Sequence, residues 1–273
     1  MLFRTHIPSA PLSRFVDMFW FYSGQGPAHR RERVLPDGTT ELVINLDDVA
    51  RKRFDRHDPR RYQSVRRAWI SGAQPEFMLI DVLPRATMIG VHFKAGGLAP
   101  FVKMPVAELS GELVELDVLW GGAADDLRDA LLEAPTVETK FALLESLLVQ
   151  RVRRPLPLAP TMEAAVRWFT DDPTGPTMEA VAERLGMSHK HFIHRFRAEV
   201  GLGHKRFCRI RRFQRALGDI QARRVVDWTD VACASGYYDQ AHLIHDFRAF
   251  SGLTPAVYLA QPGADARFVP IDG

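Results

Sequence analysis

Two short segments of this chain gather hydrogen-bonding and cationic side chains at helical spacing. The first holds Lys190, Ile193, His194 and Arg197; the second holds Gln240, Ala241, His242, His245 and Arg248. Offsets of three and four residues put such groups on one face of an α-helix. A face of that kind offers imidazole and carboxamide groups beside cations, which suits an anionic partner with hydrogen-bonding edges. Part of each segment is also compatible with metal binding. His191 and His194, like His242 and His245, sit three residues apart, yet no third ligand or carboxylate accompanies them consistently. The two cysteines, Cys208 and Cys233, form no CxxC, and no nucleophile–base pair or GxxxxGK[ST] loop is present. The expectation is no enzyme, no metal and no cofactor.

The elements that must position these groups form a repeat. Val181-Ala182, Gly186, Phe192, His194, Phe196-Arg197, Gly201 and Phe207 recur as Val231-Ala232, Gly236, Leu243, His245, Phe247-Arg248, Gly252 and Tyr258. The offset is 50 residues up to the first glycine and 51 from the aromatic positions onward, so one residue has entered the turn after Gly236. Kept hydrophobic spacing and kept glycines mark a duplicated structural unit. Thr177 reads as the N-cap of a helix to 184, Gly186 ends it, and Ser188 caps a helix over 189–200. A long helix follows over 204–220. The pair then recurs as 229–234 and 239–250, and Pro255 opens a short last helix. In the first copy Val181, Ala182, Phe192 and Phe196 are the candidate core, leaving Lys190, Ile193, His194 and Arg197 outward. Helix, glycine turn and basic second helix make a helix-turn-helix, whose second helix fits a DNA major groove.

Charge agrees with that reading. Residues 1–150 carry 18 Lys/Arg against 20 Asp/Glu, whereas residues 151–260 carry 17 against 11 and six of the ten histidines. Cations clustered on helices attract a phosphate backbone by releasing its counterions. Arg206, Arg209 and Arg212, on the connecting helix, are candidates for phosphate contact or for simple solvation. No apolar run approaches the roughly 20 residues that span a bilayer, and the N-terminus lacks the apolar core of a secretory signal. A cytoplasmic protein with no membrane partner is expected.

Upstream, residues 12–94 read mainly as short strands: 15–22, 33–35, 40–46, 77–83 and 87–93, the last two flanking Pro84-Arg85-Ala86 as a hairpin. Aromatic residues Phe19, Trp20, Phe21, Tyr22 and Trp69 either fill a small barrel or sandwich or enclose an apolar ligand, with Asp37, Glu41 and His92 as candidate polar lining. Helices are expected at 98–103, 125–132 and 137–149, the last with Phe141, Leu144, Leu147 and Leu148 on one side for packing or a dimer contact. Three prolines in 155–160 mark the domain boundary. The division is a β-rich domain over 1–153, a linker over 154–160, a helical domain over 161–262 and a tail over 263–273.

Two stretches, VAERLGMSHKHFIHRFRAEVGLGHKRF (181–207) and DVACASGYYDQAHLIHDFRAFSGLTPAVY (230–258), resemble the AraC/XylS-type transcriptional regulators. The resemblance covers about 100 residues and is strongest in the second stretch. VLPDGTTELVINLDD (34–48) and GVHFKAGGLAPFVKMPVAELSGELVELDVLWG (90–121) resemble the N-terminal domain of one subgroup, although Lys94-Ala95 stands where many members have Arg-Pro. The implied fold is α+β: a small β-barrel-like (cupin-like) domain with trailing helices, then an all-α domain of two helix-turn-helix units joined by a long helix. The resemblance implies base contacts from Lys190, Ile193 and His194 and from Gln240, Ala241, His242 and His245. Phosphate contacts are expected from Arg197, Arg206, Arg209, Arg212 and Arg248. Gln240 suits adenine and Lys190 suits guanine or a phosphate. His194 and His245 stand where the family commonly has Arg; imidazole is shorter and titrates near neutrality, so weaker, pH-sensitive readout is expected there. The expected partner is double-stranded promoter DNA, with RNA polymerase, a small-molecule effector and a second copy of the chain as further candidates. An enzyme positioned by its helical half, and an interaction module without DNA binding, are the competing readings.

Overall fold

Period-two alternation builds the N-terminal half. The computed structural model describes residues 1–26, 29–152, 160–175, 177–223, 226–264 and 267–271. Ten strands come first: β1 (Leu2–His6), β2 (Val16–Gln25), β3 (Arg31–Val34), β4 (Glu41–Asn45), β5 (Arg51–Phe54), β6 (Tyr62–Val65), β7 (Ala68–Ser71), β8 (Met78–Asp81), β9 (Arg85–Phe93) and β10 (Leu113–Glu115). They form one antiparallel sheet in the order β1-β2-β9-β4-β7-β10 and most of a second one, β3-β8-β5-β6. On β2 and β4, Phe19, Phe21, Leu42 and Ile44 face the main core, while Trp20 and Val43 face the other way. Trp20 and Val43 meet Trp69, Leu113 and Met88 of their own sheet and Val65, Met78 and Ile80 of the second. Large side chains thus fill the space between the sheets, and neither sheet closes into a barrel.

The expected hairpin at Pro84 does not form. β8 pairs with β3 and β5 in one sheet, and β9 pairs with β2 and β4 in the other. Pro84 has no N–H to donate, its carbonyl accepts from Gly26 N–H at 3.0 Å, and Val82 N–H turns to the Arg30 carbonyl at 2.8 Å. The ladder opens there and the chain crosses between sheets.

Helices α1 (Leu116–Trp120), α2 (Ala123–Glu133) and α3 (Val137–Arg151) follow, and the helix expected over 98–103 is a single 3-10 turn, Ala99–Phe101. α3 buries Phe141, Leu144 and Leu148 within the chain, so this face packs internally. The linker expected at 154–160 falls almost wholly on 153–159, outside the described residues. The helical half comprises α4 (Pro160–Asp171), α5 (Met178–Arg184), α6 (His189–Val200), α7 (His204–Ala222), α8 (Trp228–Ala234), α9 (Gln240–Ser251) and α10 (Pro255–Leu259). The tail then returns to the β-rich domain: β11 (Phe268–Ile271) pairs antiparallel with β3 and becomes the edge of the second sheet, with Val269 fully buried.

Candidate nucleic-acid interface

The duplication extends to individual hydrogen bonds. Thr177 and Asp227 cap α5 and α8; Ser188 and Asp239 cap α6 and α9 by accepting from the N–H of His191 and His242. In the two turns Met187 N–H reaches the Ala182 carbonyl at 2.9 Å, and Tyr237 N–H reaches that of Ala232 at 2.8 Å. Gly186 and Gly236 hold φ of +65° and +79°, where a Cβ would be strained. The extra residue lies between Gly236 and the cap Asp239, where Tyr237 tucks inward and Tyr238 is 93% exposed.

Each unit closes on aromatic rings. Val181, Ala182, Phe192 and Phe196 are buried as expected, and Phe196 packs edge-on against Phe169 and Phe207 at 5.7 Å. Phe247 packs in the same manner on Phe213 at 5.1 Å and Tyr258 at 5.4 Å. With these faces fixed inward, Lys190, Ile193, His194 and Arg197 on α6 all stand exposed. So do Gln240, Ala241, His245 and Arg248 on α9. Ala241, Ile244, His245, Arg248 and Ala249 line one shallow surface depression. His242 is half-buried, its ring set edge-on to Tyr237 at 5.1 Å.

The connecting helix is engaged instead. Arg209 makes hydrogen bonds of 2.6 and 3.3 Å to the Asp246 carboxylate, which is 1% exposed. Arg212 donates to the Gly236 carbonyl at 3.3 Å and lies over Tyr237. Arg206 reaches across to the β-rich domain, donating to the Pro75 carbonyl at 3.0 Å and to Glu76 at 2.8 Å. Arg211 and Gln214 donate to the carbonyls of Asp37 and Pro36, and Phe207 abuts Gly38. Three of the five expected phosphate ligands therefore hold the molecule together, whereas Arg197 and Arg248 stand free of that role on the exposed faces.

The residues singled out upstream also come together, at this seam. Glu41 accepts from Trp20 Nε1 at 2.8 Å and pairs with Arg267, which leads into β11. His92 lies 3.7 Å from Asp37, 3.9 Å from Glu41 and 3.3 Å from Arg267. Burial alone would raise the Asp37 carboxyl above its ordinary value of 3.8, but Arg267, His92 and two hydrogen bonds from Thr39 more than offset it and hold it lower. A depressed carboxyl stabilises the fold above its ordinary value, and that contribution fades as pH falls through the folded one. The stability gap between wild type and Asp37→Asn should therefore be full at pH 6 and narrow below 3.8. Thermal melts across pH check this, and a gap constant down to pH 2 would refute it.

Burial pushes the Cys208 thiol up to about 11, which disfavours the thiolate, and Cys233 lies exposed. Among the described residues no group of three or more His, Cys, Asp or Glu could hold a metal ion, and no helix is long and apolar enough to cross a membrane.

A β-rich domain followed by paired helix-turn-helix elements on one connector supports a DNA-binding transcription regulator. Residues 181–261 match the family model described as "Helix-turn-helix domain", and residues 4–115 match the "Domain of unknown function (DUF6597)". The C-terminal part of the chain is thus a helix-turn-helix domain of the AraC type, behind a β-rich N-terminal domain. Similar solved structures include ToxT from Vibrio cholerae, 10% identical with a TM-score of 0.49, covering 88% of this chain and 98% of that one. A DNA-binding transcriptional dual regulator from Escherichia coli K-12 is 23% identical with a TM-score of 0.33, over 38% of this chain and 92% of that one. The AraC-like transcriptional activator CuxR is 16% identical with a TM-score of 0.31, over 80% and 88%. No curated protein matches the chain.

Proposed function

We propose that the chain regulates transcription by reading a specific promoter sequence with both helix-turn-helix units, α6 and α9 entering successive major-groove faces of one duplex. The observation that carries this is the shared set of exposed positions on two helices whose caps, turns and aromatic cores are duplicated. Lys190, Ile193 and His194 read bases from α6; Gln240, Ala241, His242 and His245 read them from α9, with His242 held at the edge of the set by Tyr237. Arg197 and Arg248 neutralise phosphates. Arg206, Arg209 and Arg212 act mainly by fixing the frame, since their guanidiniums are already engaged. The β-rich domain modulates the reader through a small-molecule effector or association with a second copy, and RNA polymerase is a further partner. The protein works in the cytoplasm.

Fluorescence anisotropy with operator and scrambled duplexes over a salt series tests this reading. Specific affinity should fall steeply with salt, and Arg197→Ala or Arg248→Ala should each lower the slope by about one, uniformly across sequences. Gln240→Ala should instead relax preference at one position, at a cost of about 1–3 kcal/mol. Equal affinity for both duplexes at every salt concentration would sink it. His194→Ala and His245→Ala, compared with wild type at pH 6 and pH 8, test the pH-sensitive readout; unchanged operator affinity at both would discard it.

A further inference from the structure

We propose that Tyr238, the residue by which the second unit exceeds the first, is a DNA contact whose phenol donates to a backbone phosphate at the leading end of α9. The inference rests on the reading of α9 as a recognition helix and adds a contact that the cations of that helix do not supply.

The two turns fix which residue is extra. Met187 and Tyr237 make the same hydrogen bond, each N–H to the alanine carbonyl five residues back, and Ser188 and Asp239 are both N-caps. Met187 is followed directly by its cap, whereas Tyr238 stands between Tyr237 and Asp239. Its neighbours are pinned on both sides. Tyr237 is buried, its ring 5.1 Å from that of His242 and 5.4 Å from the Arg212 guanidinium. The Asp239 carboxylate accepts from His242 N–H at 2.7 Å. With the backbone held at both ends, the extra side chain projects outward. No other large apolar side chain described in the helical half is as exposed; Val257 follows at 51%.

The place for a donor follows from comparing the two faces. At the offset of 51, Lys190 becomes Ala241 and Arg195 becomes Asp246. From Asp239 to Phe247 the second unit therefore has no lysine or arginine, whereas the matching stretch of the first, Ser188 to Phe196, holds both. Arg209 of the connector is taken up by Asp246. The leading end of α9 thus approaches a polyanion without a cation of its own. A tyrosine hydroxyl is a neutral donor that phosphate oxygens accept, and phosphate contacts set the register of a reader on the duplex. Held there, Tyr238 determines where Gln240, two residues on, meets its base.

A neutral anchor leaves a signature that an arginine does not. Its loss weakens binding by the same factor at every salt concentration, because no cation is removed and counterion release is unchanged.

Fluorescence anisotropy with the operator duplex over a salt series tests the contact. Tyr238→Phe should bind about tenfold more weakly than wild type, equivalent to about 1.4 kcal/mol, with the salt slope unchanged. Thermal melts of the two proteins should coincide, because the side chain is almost wholly exposed in the free chain. A scan of duplexes each carrying one neutral methylphosphonate should then find a position where wild type and Tyr238→Phe bind alike. Wild-type affinity in Tyr238→Phe, a changed slope, a lower melting midpoint, or a gap between the two proteins at every methylphosphonate would overturn the assignment. Full affinity in Tyr238→Phe with a loss in Tyr238→Ala would make the ring the contact and overturn the hydroxyl's role. Specific binding by wild type that Tyr238→Phe leaves intact removes this contact alone; a wild type without specific binding removes the reading of α9 as well.

Discussion

Arg209→Ala is expected to destabilise the protein by about 3–5 kcal/mol, the cost of leaving a buried charge without its partner. The Asp246 carboxylate is 1% exposed, and Arg209 supplies two of its hydrogen bonds. His245, 3.6 Å from the same carboxylate, is 77% exposed and cannot replace a desolvated guanidinium. Arg197→Ala and Arg248→Ala remove exposed cations, and each should change stability by no more than about 0.5 kcal/mol. Urea melts and duplex binding on the same proteins separate the roles. If Arg209→Ala melted like wild type and lost only DNA affinity, its role would be phosphate contact. The double change Arg209→Met with Asp246→Leu should recover most of the lost stability, because burying neither charge removes the desolvation cost.

Position 246 also explains why the two readers are not interchangeable. In the repeat it corresponds to Arg195, which pairs within its own helix to Glu199 at 2.8 Å. The first copy thus has a pair within one helix at this position, whereas the second ties it to the connector. α9 is locked to α7 by a buried pair, and α6 is held to the β-rich domain by contacts such as Gly201 against Val106 and Ala73.

The turns of both units, and the caps and core of the first, were legible in the sequence because they are local, whereas Asp227 and Asp239 were not read as caps. Thr177 and Ser188 bond backbone groups three residues on, and Phe192 and Phe196 follow the helical period. The exposed faces were legible for the same reason. What the connector's arginines do was not. Arg206 meets partners 130 and 131 residues away, and Arg209 meets one 37 residues away, distances over which a basic run carries no signature. The strand at Met78–Asp81 was visible as a strand, but its partner was not. Pro84 looked like a turn, and only the competing bonds from Gly26 and Val82 decide that the chain crosses between sheets. Asp37, Glu41 and His92 were read as candidate polar lining of a ligand pocket, whereas they cluster with Arg267, which lies in a tail that carried no pattern of its own.

That tail should matter out of proportion to its length. Deleting residues 263–273 is expected to destabilise the β-rich domain by about 3–5 kcal/mol. Burial of a side chain such as Val269 accounts for roughly 1.5–3 kcal/mol of that, as an upper estimate. The rest comes from carboxylates stripped of a partner. Val269 is fully buried, and β11 forms a four-residue ladder with β3 that its loss leaves as an unpaired edge. Removing Arg267 takes the guanidinium from Glu41 and from Asp37, whose carboxyl it helps to keep ionised. The recognition faces of α6 and α9 contain none of these residues, so the truncated protein should still bind duplex while it remains folded. Val269→Asp isolates the strand from the charge cluster. It should lower stability by several kcal/mol, because it buries a carboxylate with no cation beside it. Urea melts of both variants give the result. If deletion and Val269→Asp each left the midpoint within experimental error of wild type, β11 would be a passive edge.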